Sequence, residues 1–90
     1  DYGQVKVTPN PVRPDYSGWI TISGLMENSL VKIADTAGNV ICTGRSEGGN
    51  FSWDGCDSTG RRVRTGVYYV LASQNQQGNS GIVAKFMVVN

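Results

Sequence analysis

Nowhere in this chain do ten consecutive residues carry the apolar period of a helix. Short runs that alternate apolar with polar residues are cut every few positions by Gly, Asp, Asn or Pro, the pattern of strands joined by tight turns. Seven such runs can be marked: Gln4–Thr8, Ser17–Ser23, Leu30–Asp35, Val40–Arg45, Asn50–Trp53, Gly66–Ser73 and Gly81–Val89. Alternation sets Ile20 and Ile22 on one face of the second run, with Trp19 and Thr21 on the other. In the third run Val31 and Ile33 face the core. The density of Gly and β-branched residues works against helix. The expectation is an all-β chain, a seven-stranded antiparallel immunoglobulin-like β-sandwich.

The connections fit. In Asp35-Thr36-Ala37-Gly38-Asn39, Gly38 and Asn39 are expected to take positive φ in a hairpin turn. A second hairpin turn is read at Glu47-Gly48-Gly49, and a third at Asn75–Asn79. Pro9, Pro11 and Pro14 make an extended, kinked lead-in that donates nothing to a ladder. Together with Lys85 and the strand-end glycines they guard the sandwich edges against stray pairing.

Ninety residues bound the rest. A chain of this size removes about 60–65% of its surface from water, enough for a two-layer sandwich but not for a deep ligand cavity. Lys and Arg exceed Asp and Glu by one, which argues against nucleic acid or an anionic membrane surface as partner. No apolar run is long enough to span a bilayer. Histidine is absent, removing the usual proton shuttle near neutral pH and the commonest metal ligand. Two cysteines are too few for a zinc site. No catalytic residue, metal or cofactor is assigned, and an enzyme is not expected.

Pro9-Asn10-Pro11, the Trp53-Asp54-Gly55 element, the Gly60…Gly66-Val67-Tyr68 stretch and Lys85-Phe86-Met87-Val88-Val89 follow one plan across almost the whole chain. That plan resembles the immunoglobulin-like C-terminal domains of exported Bacteroidetes proteins that serve the type IX secretion system. The lead-in and the complete Trp-Asp-Gly element look most like the terminal domain of PorZ-type propeller proteins. The same plan is similar to the immunoglobulin-like domain of the flagellar hook-capping protein.

The resemblance implies a C-terminal domain, residues 1–90, cut from a larger exported protein of the periplasm, outer membrane or cell surface. It implies a sorting or recognition role read through Lys85, Phe86, Met87, Val88 and Val89, with Pro9, Asn10 and Pro11 shaping the start. Implied partners are the secretion translocon or surface-attachment components, and a preceding domain of the β-propeller kind. The alternative is a structural or adhesive spacer with no export role of its own.

Single residues carry two readings each. Trp53 fills the core or offers a sugar-stacking ring. Asp54 accepts N–H bonds in the following turn or joins Asp57 and Ser58 around calcium. Gly55, Gly60 and Gly66 are expected to serve positive φ or close approach. Tyr68 is expected to bond back to a loop, and Tyr69 to point to the opposite face. Arg13, Arg45, Arg61, Arg62 and Arg64 form an anion patch for lipopolysaccharide or a solvated surface. Trp19, Tyr16 and Tyr2 mark a docking surface or packing against a neighbouring domain. Folding a hairpin about Gly48 leaves Cys56 just beyond Cys42, so separate thiols are preferred over a disulfide.

Overall fold

The computed structural model describes residues 5–73 and 81–90. The expected strand residue Gln4, the aromatic Tyr2 and the turn at 75–79 lie outside these. Seven strands are present: β1 (Lys6–Thr8), β2 (Ile20–Ser23), β3 (Leu30–Asp35), β4 (Val40–Arg45), β5 (Phe51–Trp53), β6 (Gly66–Ser73) and β7 (Gly81–Val88). They form two antiparallel sheets, ordered β1-β2-β5 and β4-β3-β6-β7, packed as an immunoglobulin-like sandwich. The second strand is shorter than its sequence pattern. Ser17 and Gly18 are drawn into a loop in which Tyr16 Oη donates to the Trp19 carbonyl at 2.5 Å.

Alternation governs the core. Ile20, Ile22, Val31, Ile33, Val70 and Val88 are all but fully buried, and Trp53, Tyr68 and Phe86 fill the space between the sheets. Trp53 meets Phe86 edge-on with ring centres 5.9 Å apart, and Phe86 stacks on Tyr68 at the same distance. Offset and edge contacts of this kind add to plain burial. Trp19 is 62% exposed, on the outer face as its parity requires.

The β3–β4 hairpin is held by one carboxylate. Asp35 Oδ1 accepts from the N–H groups of Ala37 and Asn39, and Oδ2 accepts from the Asn39 amide. Gly38 alone takes positive φ, at 89°. Asn39, expected to share that role, instead serves as a hydrogen-bond partner of Asp35.

The Asn39 side chain, with the turn N–H groups, holds the Asp35 carboxyl below its ordinary 3.8. A depressed folded value gives stability that is present above the unfolded value and lost as pH falls through the folded one. The melting-temperature gap between the native chain and Asp35→Ala is therefore expected to close on acidification below about pH 4. A gap that stays constant to pH 2 would sink that assignment.

One connection differs in kind from the sequence reading. β4 and β5 do not pair: β4 lies beside β3, and β5 beside β2 in the other sheet. The segment around Gly48 is thus a crossover between sheets. It runs alongside the other crossover, from β2 to β3, and the two are sewn together. Ser46 Oγ accepts from Ser29 N–H at 2.8 Å and donates to the Met26 carbonyl at 2.6 Å. The Glu27 carboxylate accepts the Gly48 N–H. Leu25 N–H donates to the Gly49 carbonyl, and a Cβ on Gly49 would lie 2.9 Å from the Leu25 oxygen.

Ser46 is 2% exposed, so its removal leaves buried polar groups without a partner. Ser46→Ala is expected to cost about 1–3 kcal/mol in chemical denaturation, against a few tenths for a surface Ser such as Ser52.

Candidate functional site: the terminal strand and its proline lead-in

The two segments singled out for recognition meet in space. β7 pairs with β6 along one edge, and on its other edge sits the lead-in, with Val12 parallel to Val88. Val12 N–H donates to the Met87 carbonyl at 2.8 Å, and Val89 N–H donates to the Val12 carbonyl at 2.7 Å. Met87 N–H donates to Asn10 Oδ1 at 3.2 Å. Both outward backbone groups of Met87 are thereby taken. Proline suits this position because its missing N–H costs no ladder bond there. The Thr8–Pro9 and Asn10–Pro11 bonds are both cis.

The end of the chain is tied down too. Asn90 N–H donates to Thr65 Oγ1, and its side-chain amide donates to the Val63 carbonyl.

Alternation divides the five terminal residues. Phe86 and Val88 are 2% and 0% exposed and belong to the core. Lys85 and Met87 point to solvent, and Val89 is half-buried. A partner meeting the folded domain can touch Lys85, Met87 and part of Val89; Phe86 and Val88 act on it only by holding the strand in place. A shallow depression of about 200 Å³ lies beside them, lined by Asn10, Val67, Lys85, Phe86 and Met87.

The Trp-Asp-Gly element supports this arrangement from behind. Trp53 is 2% exposed, and its indole N–H donates to the Cys56 carbonyl at 2.9 Å, so the ring is a core element and not a sugar platform. Asp54 Oδ1 accepts the Cys56 N–H at 3.0 Å, the expected turn bond. Gly55 and Gly60 have φ of 82° and 85°. Gly66 does not fit the expectation: it lies in β6 without positive φ, and an added Cβ would meet only the Tyr68 ring edge at 4.0 Å.

Asp57 Oδ1 is committed to Thr59 and Arg61 donors, and these hold its carboxyl below the ordinary range. Tyr68 Oη donates to the Arg64 carbonyl at 2.7 Å, as anticipated, and burial pushes its phenol up.

Of the five arginines, three line one cleft. Arg62 clamps the lead-in, donating to the carbonyls of Tyr16 and Arg13, while its Nε is buried without a partner. Arg45 donates to the Asn28 carbonyl. Arg61, Arg62 and Arg64 line one cleft with Asp35 and Asp57, and the Arg61 charge is felt by the Asp57 carboxylate. Cys42 and Cys56 are both free thiols lining a cleft between β4 and the loop after β5. Burial, with the Asp54 carboxylate, pushes the Cys42 thiol up, which disfavours the reactive thiolate.

Sequence reasoning missed Ser29, Ser46 and Glu27, which join the crossovers, and the clamp by Arg62. Each acts across the two sheets or along a loop, where no period in the sequence marks it.

No family model matches the chain, and no curated protein matches it. Solved structures do. The chain is similar to a segment of PorZ from Porphyromonas gingivalis, described as an essential bacterial surface component of the type IX secretion system. That likeness has 34% identity over 97% of this chain and a TM-score of 0.84. Dimeric latent PorU of the same organism matches at 24% identity over 94% of this chain, with a TM-score of 0.65, which supports the fold alone. The chain spans 12% of the PorZ chain and 9% of the PorU chain. The resemblance to a PorZ-type domain drawn from the sequence is borne out.

Proposed function

We propose, from a likeness to PorZ that covers nearly the whole chain, that this domain is a non-catalytic recognition module of a protein associated with type IX secretion. The observation that carries the reading is 34% identity to PorZ over 97% of the chain. In this reading the domain works at the periplasmic or outer face of the outer membrane, as part of a longer exported protein. It engages translocon or surface-attachment components, and neighbours a β-propeller in the same chain. Lys85, Met87 and Val89 are the terminal residues it offers, and Phe86 and Val88 hold that strand in the sandwich.

The test is an exchange. In a strain with the type IX machinery, removing the domain from its parent protein is expected to abolish surface display. Replacing it with the matching PorZ segment is expected to restore display. Undiminished display after removal would overturn the recognition reading.

A spacer role is the second reading. It is favoured by the burial of Phe86 and Val88 and by the capping of Met87, which leave little of the terminal strand free to be read.

A further inference from the structure

Four large apolar side chains among the described residues are exposed: Trp19, Val40, Ile82 and Met87. The last three, at 54%, 63% and 44% exposure, share the outer face of the four-stranded sheet. Residues directly opposed across an antiparallel ladder carry their side chains on the same side. Val40, Ala34, Tyr69 and Lys85 make one such row across the sheet. Lys32, Leu71 and Ile82 make a second, and Val67 with Met87 a third. Ile33 and Val70, between the first two rows, point inward and are fully buried.

The first two rows enclose a hollow. Between Val40 and Tyr69 stands only the methyl of Ala34, and a space of about 360 Å³ opens there, walled by Lys32, Leu71 and Ile82. Ligand-taking pockets run from roughly 300 to 1,000 Å³, so this one has room for a large side chain. Exposed apolar residues scattered singly need no explanation, but a run of them around a hollow marks an interaction site.

The free charges on this face have one sign. Lys32 and Lys85 make no ion pair among the described residues. Asp35, at the rim, has both carboxylate oxygens taken up by Ala37 and Asn39 of its own turn. A two-fold contact between copies of this chain would bring the same two lysines to both sides of the interface. Charge complementarity instead calls for a partner that carries carboxylates.

We propose that the outer face of the four-stranded sheet is a docking site for a partner protein, which seats a large apolar side chain in the hollow and sets carboxylates against Lys32 and Lys85. The anchor in the hollow supplies most of the affinity, as buried apolar anchors do at interfaces. The lysines add partner choice and speed of encounter. The site deepens the recognition reading and rests on it for there being a partner.

The test is a titration of the full, nitrogen-15-labelled chain with a short end-blocked peptide that holds one phenylalanine between two glutamates. Peptide up to about 5 mM covers the affinity of so small a contact. The expected result is amide shifts centred on Lys32, Ala34, Val40, Tyr69 and Leu71. Alanine in place of the phenylalanine is expected to weaken binding about ten-fold or more, the loss of one buried ring. Lysines in place of the glutamates are expected to weaken it about five-fold or more. Lys32→Glu is expected to cost the glutamate peptide a similar factor. If that variant fails to fold, the three peptides on the unmodified chain decide alone.

No binding, shifts centred elsewhere, or equal binding of the glutamate and lysine peptides would overturn the site. Shifts of the same amides with protein concentration alone would assign the face to a second copy and overturn the partner assignment. Export is read separately, so a failed titration with the PorZ exchange intact removes this site and leaves the recognition reading standing. Lost exchange with a positive titration removes the export partner but not the docking face.

Discussion

Replacing Trp53 with alanine is expected to cost about 3–5 kcal/mol of folding stability. The ring is 2% exposed, lies between the sheets and meets Phe86 edge-on. Its indole N–H also holds the Cys56 carbonyl, so truncation leaves a cavity and an unmet acceptor in the turn that follows β5. Small domains have about 5–15 kcal/mol in total, so the variant sits near the edge of folding. Equilibrium denaturation would check this. A loss under about 1 kcal/mol would mean that the sheets close over the vacated space.

Phe86→Ala is expected to cost a similar 3–5 kcal/mol, whereas Met87→Ala, one residue on, is expected to stay within about 1 kcal/mol. Phe86 touches both Trp53 and Tyr68, and Met87 faces solvent at 44% exposure. The contrast separates fold from recognition within one strand. If Met87→Ala or Lys85→Ala lowers surface display while leaving stability intact, the exposed parity is what a partner reads. If only Phe86→Ala lowers display, the strand matters through folding. A double-mutant cycle on Trp53 and Phe86 should show coupling of about 0.5–1.5 kcal/mol from the aromatic pair.

The strand periods were plain in the sequence, because alternation in a half-buried strand is a local property. Val31, Ile33, Ile20 and Ile22 could be assigned to the core, and Trp19 to the outer face, by counting residues. The turn chemistry of Asp54 was equally legible, since an Asp side chain bonds its own backbone two residues on. At the β3–β4 hairpin the turn was legible, whereas the hold of Asp35 on Asn39 was not. The likeness to PorZ-type domains rested on the same local elements in order.

What local pattern could not decide was which strand lies beside which. The segment around Gly48 has the composition of a hairpin turn, yet it carries the chain between sheets. Burying Trp53 against Phe86 while Phe51 covers Gly44 requires β5 in one layer and β4 in the other. Ser46, Ser29 and Glu27 gain their roles only from that crossing. Gly66 looked like a backbone requirement and proved to be an ordinary strand residue.

The terminal strand shows the division most sharply. The sequence alone marked a terminal strand from Gly81 to Val89 and put Lys85 to Val89 forward together, without dividing them by face. Only the tertiary structure decided that Asn10 and Val12 lie along its edge and take the outward backbone groups of Met87. Those hydrogen bonds join residues more than seventy positions apart, Asn10 to Met87 among them, and a long-range pairing leaves no periodic trace in the chain that makes it.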